Sequence, residues 1–240
     1  MHMNWAQILS TPGTSLLMML MGGASYVLWS LTYLLIIRQA SKDKIYGMPF
    51  AAMCFNFTWE FIYTFVVPPT GKGCLFFWLP LLNYAIWLAL DAGIVGTWLK
   101  YWRADAPPGL SSKWHVPALA MGMISAAAVL LRMQSQFNQP PCLPTGSLIP
   151  AGAVAAYLQN LLMSALFVEM VLRRNSAAGQ SLPIALSKLL GTALGSIFFY
   201  NYFKAQDSYW VTLYVLCFLY DSLYVVLLLK FRRGPLTAQA

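Results

Sequence analysis

The chain has 240 residues, of which 59% are hydrophobic and only 9% are charged, and its mean hydropathy is +0.62. This composition lies outside the range of soluble globular domains and indicates an integral membrane protein. The formal charge of +8 does not point to a nucleic-acid partner, because the basic residues stand at the ends of apolar segments and form no single patch.

Seven apolar segments in succession are long enough to cross a bilayer, which takes about 20 helical residues each. No Lys or Arg precedes the first segment, so we expect it to be retained as a membrane helix and not cleaved as a secretory signal. The gaps between segments are too short to fold as separate domains. The sequence therefore predicts an all-α fold, a single seven-helix transmembrane domain over residues 1–240. The predicted spans are 15–37, 48–67, 77–99, 115–133, 151–172, 182–203 and 208–229.

The orientation of the bundle follows from the 15 Lys and Arg residues, since cytosolic loops are enriched in them. One side holds only Lys72, Arg132 and Lys204, and Lys188 lies inside the sixth span. We therefore expect the N-terminus to lie outside or in the lumen and the C-terminus in the cytosol. The eleven basic residues of the predicted cytosolic side are Arg38, Lys42, Lys44, Lys100, Arg103, Lys113, Arg173, Arg174, Lys230, Arg232 and Arg233.

The four cysteines divide between loops and spans. Cys74 and Cys142 fall in the second and fourth loops, on the predicted non-cytosolic side, where they could form a disulfide or remain unrelated thiols. Cys54 and Cys217 fall within spans and are expected to be small buried core residues.

Four acidic residues lie inside the predicted spans, and Glu169 differs from the other three. It precedes Arg173 by one helical turn, and Lys188 is expected at a similar depth on the next helix. We therefore interpret Glu169 as part of a structural ion-pair cluster near the cytosolic surface.

The other three acids, Glu60, Asp91 and Asp221, have no basic residue within one turn on their own helices. A charge at the bilayer centre costs at least about 2.5–3.5 kcal/mol, so without a partner from another helix these acids are expected to be protonated. A protonated acid in an apolar chamber is what acid catalysis requires, and helical spacing allows one chamber to hold all three.

Aromatic and polar residues share helix faces with these acids, and aromatic ring faces attract cations. On the second helix the face of Glu60 carries Met53, Asn56, Tyr63 and Thr64, and on the third helix the face of Asp91 carries Tyr84, Trp87 and Trp98. On the seventh helix the face of Asp221 carries Tyr214, Cys217 and Tyr224. Aromatic residues at such spacing are also common in ordinary helix packing.

Several other functions of seven-helix proteins can be tested against the sequence. A retinal protein needs a Schiff-base lysine in its last helix, and the span 208–229 has none. A zinc site is not expected, because His2 and His115 are the only histidines. A proton-coupled transporter of a small molecule, with the buried acids as a relay, remains an open alternative.

Five motifs, in order along the chain, resemble those of the small integral membrane terpene cyclases of fungal meroterpenoid and indole-diterpene pathways, the paspaline and pyripyropene type with its bacterial relatives. The resemblance extends over nearly the whole chain. The length of the chain and its number of predicted spans are also similar to those of the family. The motifs are WEFIY at 59–63 ahead of the prolines at 68 and 69, LDAGIV at 90–95 ahead of KY at 100–101, NLLMS at 160–164, RR at 173–174 with GQS at 179–181, and YDSLY at 220–224.

The resemblance implies a cyclase that uses neither a metal nor another cofactor. Protonation of a terminal epoxide or an olefin on a polyprenylated aromatic or polyketide substrate would start a carbocation cascade, with Glu60 and Asp221 as catalytic acids and Asp91 as a supporting acid. The location would be the endoplasmic reticulum in a fungus or the cell membrane in a bacterium. The motifs DDxxD and DxDD of soluble terpene cyclases do not occur in the chain. The residues expected to line the substrate site are Asn56, Trp59, Tyr63, Tyr84, Trp87, Tyr214, Tyr224 and Asn160.

Overall fold

The computed structural model describes residues 16–68, 78–106, 109–137 and 151–231. Within these ranges the chain forms seven long helices and no strand, so the all-α prediction is confirmed. Each predicted span coincides with one helix. The helices are α1 (Leu16–Asp43), α2 (Phe50–Phe61), α3 (Trp78–Tyr101), α4 (His115–Phe137), α5 (Ala151–Arg174), α6 (Leu182–Tyr202) and α7 (Ser208–Phe231).

Six of the seven helices in the described part of the chain are long and apolar enough to cross a membrane. The exception is α2, which has 12 residues of α-helix followed by five residues of π-helix at Ile62–Val66. A π-helical turn changes the direction of side chains and often occurs at functional sites. The crossing of the bilayer by α2 and the orientation of the two termini stay predictions.

Six helices form a closed ring in the order α1, α3, α2, α5, α7, α6, in which each helix packs against the next and α6 packs against α1. Helix α4 lies outside this ring, against α2 and α5. Many large apolar side chains are exposed on the outer surface, for example Leu34, Ile124 and Leu219. The interior contains buried polar and charged groups. Because lipid is apolar, this arrangement suits a bundle surrounded by a bilayer.

Close packing holds α2 between α4 and α5. A Cβ atom at Gly122 of α4 would lie 2.6 Å from the sulfur of Cys54, and one at Gly152 of α5 would lie 2.7 Å from the ring of Tyr63. Small residues of this kind let membrane helices approach closely. The position of Glu60, between Cys54 and Tyr63 on α2, is therefore fixed by packing on both sides.

One end of the bundle is joined by a polar cluster that includes Asp105. Arg173 and Arg174 pair with Asp105 at 2.8 and 3.0 Å, and the hydroxyl of Tyr46 donates to the same carboxylate at 2.7 Å. Glu169 pairs with Arg173 at 3.0 Å, as predicted. These contacts bring together the first, third and fifth loops, which the basic residues assign to the cytosolic side.

The cysteine predictions have different outcomes. Cys54 and Cys217 are buried and unpaired, as expected for core residues. Cys74 and Cys142 lie outside the described residues, so their disulfide stays a prediction.

Candidate active site

The first polar cluster in the ring contains two of the predicted acids, Glu60 of α2 and Asp91 of α3, both fully buried. Asn56 joins them, since its Nδ2 atom lies 3.1 Å from Oε1 of Glu60 and 2.7 Å from Oδ2 of Asp91. The hydroxyl of Tyr33 from α1 lies 2.6 Å from the same nitrogen and 3.1 Å from Oε1 of Glu60. Both carboxyl groups thus lie within hydrogen-bonding distance of the Asn56 amide, and we call them the carboxyl pair.

Counting hydrogens defines the bonding in this cluster. The side-chain amide of Asn56 has two N–H hydrogens but three oxygen atoms within reach. The two shortest contacts are those to Asp91 and Tyr33, so the amide donates to these two groups. The Tyr33 hydroxyl is then free to donate its own hydrogen to Glu60. The chain of donors therefore ends on Oε1 of Glu60.

Among the described residues, no cation pairs with either acid of the carboxyl pair. The ion pairs in the described ranges involve neither Glu60 nor Asp91, and the groups that donate to them are a neutral amide and a phenol. Two adjacent carboxylates in an apolar interior would repel each other and lack solvation. We therefore expect the carboxyl pair to hold at least one proton; the protonation of both acids stays a prediction.

The second polar cluster contains the third acid, Asp221 of α7, and a lysine from α6. The Nζ atom of Lys188 lies 2.6 Å from Oδ1 of Asp221, and both side chains are fully buried. The same nitrogen lies 2.5 Å from Oγ of Ser164 and 3.2 Å from Oδ1 of Asn160, both on α5. The ring of Trp29 lies 5.4 Å from the ammonium group.

This pairing corrects two predictions. Asp221 was expected to be protonated in the absence of a partner from another helix, but Lys188 is such a partner. Lys188 was expected near Glu169, as a neighbour of its ion-pair cluster, but it is fully buried and pairs with Asp221, while the side chain of Glu169 is 51% exposed and pairs with Arg173.

The two clusters are neighbours. Gln159 donates to Oδ1 of Asn56 at 3.4 Å in the first cluster, and the next residue, Asn160, accepts from Lys188 in the second. On the other side, Trp29 packs edge-on against Tyr33 at 5.9 Å. The structure thus places the three acids in two neighbouring clusters, with Glu60 and Asp91 in one and Asp221 with Lys188 in the other.

Each of the three acids has one oxygen engaged and one oxygen without a protein partner. Oε2 of Glu60, Oδ1 of Asp91 and Oδ2 of Asp221 are buried and make no hydrogen bond to the described protein atoms. Buried polar atoms usually have a partner, and exceptions often mark functional sites. We therefore single out these three oxygens as candidate atoms for proton transfer.

Aromatic side chains from α1, α2 and α3 pack in a continuous row beside the carboxyl pair. The ring centroids of Trp59 and Tyr84 are 4.9 Å apart, those of Tyr84 and Trp87 are 6.3 Å apart, and those of Trp87 and Tyr33 are 6.1 Å apart. Tyr63 extends the row, 4.8 Å from Trp59. Four of the predicted lining residues therefore meet in this row, which we call the aromatic wall.

The two predicted lining residues on α7 lie elsewhere. Tyr214 packs against Tyr157 at 5.2 Å and donates to the carbonyl of Ala205 at 3.2 Å, near the turn between α6 and α7. Tyr224 is fully buried and donates to the side chain of Gln180. The structure gives both residues packing partners and does not bring them to the carboxyl pair.

Sequence reasoning missed several members of the site. Tyr33 and Trp29 lie on α1, which carries no acid within its predicted span 15–37, so helical spacing gave no reason to select them. Nothing in the sequence singled out Gln159 except its position next to Asn160, which was a predicted lining residue. The pairing of Lys188 with a buried acid could have been predicted, because a lysine in the middle of an apolar span requires a buried counter-ion.

Comparisons with known proteins cover nearly the whole chain. The family model of the Pyr4-like transmembrane terpene cyclases matches residues 14–234. The Pyr4-family terpene cyclase mfmH of Annulohypoxylon moriforme is 29% identical over 187 residues, which are 75% of this chain and 69% of that protein. The terpene cyclase pyr4 of Aspergillus fumigatus is 26% identical over 221 residues, which are 85% of this chain and 83% of that protein.

Proposed function

The chain belongs to the Pyr4-like transmembrane terpene cyclases, and we propose that it cyclises a polyprenylated aromatic or polyketide compound through an acid-initiated carbocation cascade. The named relatives are terpene cyclases and not carriers, which supports the cyclase over the proton-coupled transporter. The proposal uses no metal ion and no other cofactor.

The observation that carries this proposal is the carboxyl pair, because two buried acids without a cation retain a proton that can be given to a substrate. In the proposed first step, Glu60, supported by Asp91, transfers this proton to a terminal epoxide oxygen, and the carbon–oxygen bond breaks as the new hydroxyl forms. In a substrate without an epoxide, the same proton would be added to an olefin carbon. Electrons of the next double bonds then close the rings.

The surroundings of the carboxyl pair suit a migrating positive charge. The faces of the aromatic wall can stabilise cations along the prenyl chain. Asn56 and Asn160 act through the charged groups they bind, Asn56 by donating to Asp91 and Asn160 by accepting from Lys188. The apolar bundle keeps out water, which would otherwise trap the first cation. A polyprenyl substrate partitions into lipid and would enter from the membrane, which in a fungus would be that of the endoplasmic reticulum.

The test is turnover of a prenylated epoxide by purified protein in detergent, with a chelator present and with no pH gradient. Glu60→Gln removes the acidic proton with little change in size, and loss of one general-acid contribution costs roughly 10²–10⁴-fold in rate. The matched control is Glu169→Gln, which makes the same change at an exposed site. We expect a cyclised product from wild type and from the control, and little or none from Glu60→Gln.

Two results would count against the proposal. Wild-type turnover by Glu60→Gln would remove the carboxyl pair as the proton source. Movement of an unchanged compound across sealed vesicles, driven by a pH gradient and without a cyclised product, would favour the transporter.

A further inference from the structure

We propose that a cavity at the predicted cytosolic end of the bundle binds an anionic phospholipid, with the headgroup phosphate on Arg38 and Lys42 and the acyl chains along α1 and α6. The residues that line this cavity belong to neither polar cluster. The inference therefore does not depend on the proposed function.

The cavity has a volume of about 390 Å³ and lies where the end of α1 meets the beginning of α6. The lining residues that bear on binding are Leu35, Arg38, Lys42, Leu182, Pro183 and Leu228. The side chain of Leu228 is buried, whereas Arg38 and Lys42 are exposed. The cavity thus has an apolar floor and a basic rim, which we define as Arg38 and Lys42.

Within the described ranges, the basic rim has no acidic partner, because none of the ion pairs involves Arg38 or Lys42. The acid nearest to them in the chain, Asp43, is engaged by neutral donors. Gln39 and the backbone amide of Gly179 each donate to it at 2.8 Å. The basic rim therefore presents two positive charges to an anion.

The beginning of α6 borders the same cavity and also favours an anion. Ser181 lines the cavity and immediately precedes the helix, and its side chain makes no capping hydrogen bond. The first amides of a helix carry a partial positive charge and often bind phosphate groups. The helix end thus adds to the attraction of the basic rim.

Exposed leucines continue from the cavity toward the centre of the predicted membrane span. Leu31 lies one turn from Leu35 on α1, and Leu186 and Leu190 lie one and two turns from Leu182 on α6. All three are exposed, and α1 packs against α6. Each helix therefore carries an apolar stripe that begins at the cavity and can hold an acyl chain.

An anionic phospholipid matches both the charge and the apolar stripes. Arg38 and Lys42 lie in the last two turns of α1, at the level expected for the headgroups of the cytosolic leaflet. Basic pockets between membrane helices on the cytosolic side are known to bind the headgroups of anionic lipids. A soluble anion would contact only the basic rim and would leave the stripes unused.

The test measures the binding of lipid to delipidated protein in detergent, by thermal unfolding and by native mass spectrometry. We expect phosphatidylinositol to raise the unfolding temperature and to remain bound in the mass spectrometer. Phosphatidylcholine, which has no net charge, should do neither. Arg38→Gln with Lys42→Gln should weaken the binding of phosphatidylinositol roughly 10- to 30-fold, because both basic residues near the anionic headgroup are lost.

Two further variants separate the cavity from general charge. The matched control, Lys113→Gln with Arg132→Gln, removes one lysine and one arginine at exposed positions that do not line the cavity, and it should bind as wild type does. Leu35→Trp keeps the basic rim but fills the cavity, so it should also lose the lipid. Elution as a single species and the unfolding temperature without lipid verify that each variant folds.

Several results would overturn the lipid site. One is the absence of a shift with phosphatidylinositol, and another is an equal shift with phosphatidylcholine. Equal weakening in the control would mean a general attraction to the basic surface, and wild-type binding by Leu35→Trp would place the lipid outside the cavity. An equal shift with inorganic phosphate would make the cavity a site for soluble anions. A higher KM for the prenylated epoxide in the double variant of the rim, without any effect of lipid, would assign the cavity to the head of the substrate.

Discussion

Replacing Tyr33 by phenylalanine tests the geometry of the carboxyl pair, because it removes one oxygen atom and keeps the ring in the aromatic wall. The Tyr33 hydroxyl accepts from Asn56 at 2.6 Å and donates to Oε1 of Glu60 at 3.1 Å. When Glu60 gives up its proton it becomes an anion, so this bond strengthens in the transition state. Hydrogen bonds to charged groups contribute about 1.5–3 kcal/mol, and about 1.4 kcal/mol corresponds to a factor of ten in rate.

We therefore expect Tyr33→Phe to lower kcat by roughly 10- to 150-fold. KM should change little, because the ring remains and the bond acts mainly on the developing anion. The matched control is Tyr46→Phe, which removes a hydroxyl that donates to Asp105 at 2.7 Å, away from the carboxyl pair. Initial rates of cyclisation in detergent, measured by liquid chromatography and mass spectrometry over a range of substrate concentrations, separate kcat from KM.

A wild-type kcat in Tyr33→Phe, or an equal loss in Tyr46→Phe, would refute this reasoning. A loss accompanied by a lower unfolding temperature in Tyr33→Phe alone would assign the hydroxyl to stability and not to the chemical step. Thermal unfolding of both variants in the same detergent makes this distinction.

Three further predictions follow from the structure. Asp91→Asn should reduce turnover less than Glu60→Gln or change the product ratio, whereas complete loss of turnover in both variants would mean that the two acids titrate and act as one unit. Asp105→Asn leaves Arg174, whose side chain is 3% exposed, without its counter-ion, so the free energy of unfolding should fall by about 3–5 kcal/mol; an unchanged unfolding temperature would contradict this. A cysteine introduced at Ser112 should react with an impermeant thiol reagent in sealed microsomes, while the two loop cysteines react only after the membrane is opened. The reverse pattern would invert the predicted orientation.

The positions of the helices could be predicted closely because their cause is local. A bilayer fixes the length of an apolar segment, and prolines and charges mark where it ends, so each predicted span coincides with one helix. The exception in length is α2, which ends at Phe61 and is followed by a π-helix at Ile62–Val66. The importance of Glu60 and Asp91 was also visible in the sequence, since an acid in an apolar span without a nearby base stands out.

Only the tertiary structure decided which charges meet. Helical spacing compares residues on one helix, so it correctly paired Glu169 with Arg173 but could not pair Lys188 with Asp221, which lie on α6 and α7. The direction of each side chain around its helix depends on packing against neighbouring helices. The sequence by itself therefore determined a helical membrane protein with buried acids, and the packing of the ring determined that one acid has a cation and two do not, because the protonation of a buried group depends on the charges that other helices bring to it.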